Sequence, residues 1–163
     1  MYLLEFIMKK AVVKETKIGK GVFAAENIRK GEFIFSYKEC RHINFEESKK
    51  KGIEDYCLQI GPREYIYPTT SPHRYVNHSC EPNAGLKDGT ELYALRDISA
   101  GEEITFDYST YMDEDDWEMD CLCGSPNCRK RIRDFKYLPP EIQEKYILLG
   151  IVGKFILDRR CDI

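Results

Sequence analysis

Apolar positions along the chain fall mostly in short alternating runs broken by glycine or proline, the signature of short strands. Phe33, Phe35 and Tyr37 alternate with Ile34 and Ser36, predicting a strand with one strongly apolar face. Residues 56–60 and 65–67 flank Gly61-Pro62 and predict a hairpin. Asp88-Gly89, ahead of the alternating residues 91–95, predicts another. The pattern I-x-x-G-E-x-I occurs at residues 28–34 and again at 98–104. Each copy reads as a turn needing glycine at positive φ, followed by a strand. Two copies are too few for a solenoid, so they are equivalent strand starts. Helical signals are fewer. Asn44 is an N-cap with Glu47 three residues on, opening a short helix that runs across Lys49 to Lys51. Pro139-Pro140 starts a clearer helix through Leu149, closed by Gly150. Ile142, Tyr146 and Leu149 form its core face, and Glu141 and Lys145 an i,i+4 pair. The fold class is mainly β.

Composition narrows the function classes. With 163 residues, 42% hydrophobic and 33% charged, the chain fits one domain with appendages and a real core, not a disordered segment. A net charge of -3 excludes bulk non-specific nucleic-acid binding, which needs a Lys/Arg surplus. No apolar run reaches membrane-spanning length, so no membrane partner is expected. The opening residues 1–7 are apolar but too short for a signal peptide and lack a preceding basic region. Met8, before Lys9-Lys10, is an alternative start. An intracellular location is expected: cytoplasmic in a prokaryote, nuclear in a eukaryote. Seven cysteines in such a chain read as metal ligands or buried thiols, with Cys40, Cys57 and Cys161 as isolated core or surface residues. Acids stand at 113, 114, 115, 116, 118 and 120 with no base among them, either as solvated surface or as a face for a basic substrate.

Cys121-x-Cys123-x4-Cys128 places three thiolates within eight residues, joined by the turn-rich Gly124, Ser125, Pro126 and Asn127. Structural zinc takes four tetrahedral N/S ligands, so a fourth must come from elsewhere. Cys80 is the natural choice, although spacing equally allows Cys40, Cys57, His78 or Cys161. Such a closed site has no position for water and would pin loops together rather than catalyse.

Arg74-Tyr75-Val76-Asn77-His78-Ser79-Cys80-Glu81-Pro82-Asn83, followed by Gly101-Glu102-Glu103-Ile104-Thr105-Phe106-Asp107-Tyr108, strongly resembles the SET-domain lysine methyltransferases. Gly19-Lys20-Gly21-Val22-Phe23-Ala24 resembles that family's glycine-rich opening, and residues 121–129 its post-SET segment. The resemblance implies several small twisted sheets with a knot-like threaded core, a four-cysteine zinc post-SET loop and short C-terminal helices. It divides the chain into a SET domain at 9–110 with a substrate-selecting insert at 41–72, a post-SET zinc segment at 111–133 and a C-terminal helical extension at 134–163.

The implied activity is methyl transfer from S-adenosylmethionine to a lysine of a protein substrate, with the lysine in a basic segment as in histones. Gly19, Lys20, Gly21, Val22, Arg74, Asn77 and His78 match cofactor-binding positions, and Cys80 matches the fourth zinc ligand. Tyr108 matches the catalytic tyrosine, Tyr37 a second channel tyrosine and Phe106 a channel position; phenylalanine there implies products beyond monomethyl-lysine. The chain departs from the family at Lys20, where tryptophan is frequent, and at Glu39, where many relatives carry glycine. The rival reading is a SET fold that has lost catalysis and serves as a zinc-stabilised interaction module. A zinc hydrolase or deaminase is disfavoured, since no HxxEH or H-x-E…P-C-x-x-C pattern occurs.

Overall fold

The structure, a computed structural model, describes residues 10–69, 72–115 and 117–161. The expectations for residues 1–8 and for the acid at 116 lie outside these. Strands β1 (Ala11–Thr16) and β2 (Gly19–Ala24) form an antiparallel hairpin. A three-stranded sheet takes the order β3 (Phe33–Ser36), β9 (Glu91–Ala94), β8 (Ala84–Lys87). A second orders β4 (Arg41–Asn44), β6 (Glu64–Tyr67), β5 (Leu58–Gly61), with helix α1 (Phe45–Lys51) following β4. Two short pairs complete the set: β7 (Asn77–His78) lies parallel to β10 (Thr105–Phe106), and β11 (Glu118–Asp120) antiparallel to β12 (Arg131–Arg133). Helices α2 (Pro140–Leu148) and α3 (Lys154–Cys161) end the fold. Among the described residues no helix is long and apolar enough to cross a membrane.

The turn chemistry acts where expected. Asp88 and Gly89 both take positive φ, at 50° and 81°, which matches the twist of the β8–β9 hairpin. The Asn44 side chain accepts the Glu47 N–H at 2.8 Å and caps α1, which Gly52 ends in the left-handed region. The two I-x-x-G-E-x-I copies pair with each other: Ile28 and Ile98 exchange backbone bonds of 2.9 and 2.8 Å. Each glutamate accepts the N–H three residues earlier, Arg29 to Glu32 and Ser99 to Glu102, both at 2.9 Å. The glycine φ values, 81° and 86°, are alike. The repeat therefore builds one reciprocal junction from two equivalent turns.

The first strand departs from its predicted face. A register shift between Phe33 and Phe35 in the β3–β9 ladder takes Phe33 off the face of Phe35, leaving Phe33 37% exposed while Ile34 is buried. A bulge adds a residue on one strand, so alternation cannot carry across it. Glu141 and Lys145 of α2 are not among the ion pairs of the described residues, whereas the Ile142, Tyr146, Leu149 face packs with Phe135, Ile151 and Ile156 as expected. Of the isolated cysteines, Cys40 packs against the main core, Cys57 is half-buried and Cys161 is exposed. The main core gathers Val22, Phe35, Ile66, Leu86, Leu92 and Ile104. The parallel β7–β10 pair brings the 77–83 segment beside the segment leading to Tyr108.

Candidate functional site

The site is assembled around that parallel pair. Tyr108 opens the 3-10 turn Tyr108–Tyr111, entered from β10 through Asp107, whose carboxylate caps the turn at Ser109 N. Its hydroxyl donates to the Val76 carbonyl at 2.7 Å. Tyr37, 2% exposed, donates to the neighbouring His73 carbonyl at 3.2 Å. Burial raises both phenols; Tyr37 also senses Tyr108, and the Glu103 charge adds to the rise at Tyr108. Both therefore stay protonated, and each spends its hydrogen on the backbone of residues 73–76, leaving oxygen lone pairs to accept from a ligand. Phe106 is 5% exposed and packs on the Tyr108 ring with centroids 5.0 Å apart. Of the three residues expected to line a channel, Phe106 and Tyr108 thus pack together, and Tyr37 shares with Tyr108 the backbone segment that holds its hydroxyl.

His78 is tied to the same turn. Its Nδ1 accepts the Tyr108 N–H at 3.1 Å, and its Nε2 lies 3.3 Å from Cys80 Sγ. Burial pushes the imidazole down to about 4, only partly opposed by Asp107. The neutral ring therefore has its hydrogen on Nε2, facing the thiol. The 3.5 Å approach of Asp107 Oδ1 to Nδ1 is accordingly not an ion pair.

The glycine-rich opening is fixed by one carboxylate. Asn77 Nδ2 donates to the Lys20 carbonyl at 3.0 Å and to Glu103 Oε1 at 2.8 Å. A Cβ on Gly21 would stand 2.4 Å from that same oxygen, so any side chain there would displace the Glu103 carboxylate from its place beside β2. Ile104 N donates to the Val22 carbonyl at 2.7 Å, so Gly19, Lys20, Gly21 and Val22 are held against Asn77 and Glu103. The Lys20 ammonium lies over the Tyr75 ring, 5.3 Å from its centroid. Arg74 points elsewhere among the expected residues: its guanidinium lies over Tyr56 at 4.6 Å, with Tyr67 5.9 Å away.

The sulfurs of Cys80, Cys121, Cys123 and Cys128 lie within 4.8 Å of one another, a cluster able to hold a metal ion. The surroundings fit thiolate ligands. Backbone N–H groups of Arg129 and Lys130 each approach a sulfur, Cys80 and Cys128, at 3.4 Å. Burial raises the Cys123 thiol, yet hydrogen bonds to it prevail and bring it down to about 6, whereas burial pushes the neighbouring Cys80 and Cys121 thiols up. Glu81 accepts from Asn127 Nδ2 at 2.8 Å, a second tie between the two loops. Four soft donors suit a closed, tetrahedral ion.

Asp107, fully buried, is the hub that sequence reasoning missed. It receives Arg129 Nη1 at 2.7 Å, Nη2 at 2.8 Å and the Tyr146 hydroxyl at 3.0 Å. It thus joins the residue after Cys128, helix α2 and the turn of Tyr108. A signal existed, since Asp107 is an acid inside an apolar run between Phe106 and Tyr108. Glu103 also carried one: it replaces the apolar Phe33 of the first I-x-x-G-E-x-I copy. Nothing in the sequence pointed to the Tyr146 hydroxyl.

The SET domain family matches residues 19–109, more than half of the chain and spanning the glycine-rich opening through Tyr108. The chain belongs to the SET-domain family. A variant-silencing SET domain-containing protein of Plasmodium falciparum is 35% identical over 143 residues, covering 76% of this chain and 6% of that protein. The putative histone-lysine N-methyltransferase ASHH4 of Arabidopsis thaliana is 34% identical over 142 residues, covering 77% of this chain and 40% of that protein. An H3 lysine-4 specific histone-lysine N-methyltransferase of Saccharomyces cerevisiae is 32% identical over 126 residues, covering 67% and 12%. A solved structure of apo ctPRC2 with a mutated Ezh2 is similar at a TM-score of 0.57 and 25% identity, covering 65% of this chain and 16% of that chain. The chain spans well under half the length of each of these relatives.

Proposed function

We propose that this SET domain transfers methyl groups from S-adenosylmethionine to lysine side chains of a protein, the target lying in a basic segment as in histone tails. The observation that carries this reading is the packing of Phe106 on Tyr108, with the Tyr108 and Tyr37 hydroxyls both bonded to the 73–76 segment that leads into Asn77 and its bond to Glu103. Gly19, Lys20, Gly21, Val22, Asn77 and His78 would hold the cofactor, which supplies an electrophilic methyl group when bound, while Arg74, expected among them, is turned to Tyr56 instead. The lysine must react as a neutral amine, and a narrow passage walled by Phe106 and two phenols disfavours the ammonium by desolvation. The Tyr108 and Tyr37 oxygens, their hydrogens already committed, would accept from the amine and fix its direction, while the rings exclude water.

Phe106 has no hydroxyl with which to lock that amine, which favours products beyond monomethyl-lysine. Cys80, Cys121, Cys123 and Cys128 would hold one structural zinc that pins the post-SET loop to the 77–83 segment. The reduced thiols suit an intracellular, cytoplasmic or nuclear, setting. The test is incubation of the protein with labelled cofactor and a panel of basic proteins, with modified lysines mapped by mass spectrometry. Tyr108→Phe is expected to keep cofactor binding and lose about a hundredfold or more in transfer. Equal transfer by wild type and Tyr108→Phe removes Tyr108 from the reaction, and no transfer to any lysine overturns the reading.

A further inference from the structure

A cleft of about 880 Å³, lined by none of Tyr37, Phe106 and Tyr108, lies between β5–β6, residues 113–115, 117 and 118, and helix α3. Its walls include the aromatic rings of Phe45, Tyr65, Trp117 and Phe155. Eight charged side chains line it, and seven are already matched. Arg159 bridges Asp113 at 2.9 Å and Asp115 at 3.6 Å, and Asp115 also takes Lys136. Glu118 takes Arg131 at 3.0 Å, Asp158 takes Lys154 at 2.7 Å, and Lys49 takes Glu54 at 3.2 Å. Arg63 pairs with Glu46.

Glu114 differs. Among the described residues no cation lies within ion-pair distance of its carboxylate, and its partner is the neutral Tyr65 hydroxyl on Oε1. Its backbone is held in place, with Glu114 N donating to buried Asp134 at 3.2 Å and Asp113 N to Gln59 at 2.9 Å. Glu114 is thus the one charged side chain of this lining without an ion-pair partner among the described residues, and it stands among aromatic faces. That chemistry selects a cation with an apolar stem, which gains from both the carboxylate and the rings.

We infer that this cleft binds a second cationic side chain of the protein substrate, a lysine or arginine near the methylated lysine, with Glu114 as its charge partner between Tyr65 and Trp117. The inference rests on the reading of the chain as a lysine methyltransferase and adds a specificity determinant to it. Glu114 stands six residues after Tyr108, so the chain path between them is at most about 20 Å. An extended substrate advancing about 3.3 Å per residue reaches the cleft within roughly six residues of its target.

Trp117 is the single tryptophan of the chain, so its fluorescence reports the cleft directly, without catalysis. The probes are two capped peptides that differ only in carrying one arginine or one glutamine. The arginine peptide is expected to bind about tenfold more tightly, with the preference falling as salt rises, because a single partly exposed charge pair is screened. Glu114→Gln keeps the Tyr65 hydrogen bond, so the fold should persist, and it should bind the two peptides alike. In methylation assays the same variant should lose on KM for substrates with the nearby basic residue. Equal affinity of wild type for the two peptides, or an arginine preference that survives in Glu114→Gln, overturns the inference even if lysines are methylated. Arginine preference without any methylation supports the cleft and sinks the methyltransferase reading instead.

Discussion

Replacing Arg129 by methionine should destabilise the protein by about 3 kcal/mol. The substitution keeps an apolar stem but removes both hydrogen bonds to Asp107, at 2.7 and 2.8 Å, and the only formal positive charge bonded to that carboxylate among the described residues. Asp107 is fully buried and Arg129 is 18% exposed, so the pair is shielded rather than superficial. Breaking a buried pair by removing one partner costs about 3–5 kcal/mol, chiefly because the remaining charge is stranded. The low end applies here, since Ser109 N at 3.1 Å and the Tyr146 hydroxyl at 3.0 Å still solvate Asp107. For a chain of this size about 3 kcal/mol lowers Tm by roughly 6–12 °C. The assay is urea and thermal unfolding with zinc saturating and its content measured in each sample. The backbone N–H of Arg129 that meets Cys80 survives the substitution, so metal loss should not be the cause. Adding Asp107→Asn removes the stranded charge, and the double variant should be at least about 1 kcal/mol more stable than the sum of the single effects predicts. A loss below about 1 kcal/mol in Arg129→Met, or strict additivity, would refute the argument that Asp107 depends on this partner.

Three further outcomes are expected. Cys80→Ser should lower bound zinc, measured by mass spectrometry of the metal, and weaken cofactor binding with it, because Cys80 lies two residues after His78; unchanged zinc content would move the fourth ligand elsewhere. Phe106→Tyr should shift products towards monomethyl-lysine at long incubation without abolishing transfer, and a wild-type enzyme that stops at one methyl would refute the role given to Phe106. Burial lowers the His73 imidazole below 6.5, and among the described residues its Nδ1 has no hydrogen-bond partner. The unfolded chain therefore binds this proton more readily, so stability should fall as pH drops from about 6.5 towards the lower folded value. His73→Gln should flatten that part of the pH–stability curve, and an unaltered slope would show that other groups set it.

Local signals in the sequence determined the turns, caps and short strands. Asp88-Gly89, the Asn44 cap and the paired I-x-x-G-E-x-I turns depend on backbone conformations that few residue types adopt, so they can be read without neighbours. Motif order likewise made the SET domain legible, because a glycine-rich strand, the 77–83 segment and the run to Tyr108 are each short and chemically distinctive. The bulge in β3 was not legible, since alternation says nothing about an added residue on one strand. Nor could spacing alone choose Cys80 over Cys40, Cys57, His78 or Cys161; only the fold brings its sulfur within 4.8 Å of those of Cys121, Cys123 and Cys128.

The tertiary structure also decided what the polar groups do. Tyr146 read as core, and its ring is core, but its hydroxyl ends 39 residues away on Asp107. Glu114 read as one acid among several until its neighbours proved to be matched and it did not. Hydrophobic pattern is set by each residue's own chemistry and its place in a local period, so sequence carries it. The charge state, partner and duty of a polar side chain depend on what the fold brings within about 4 Å, and only the folded chain supplies that.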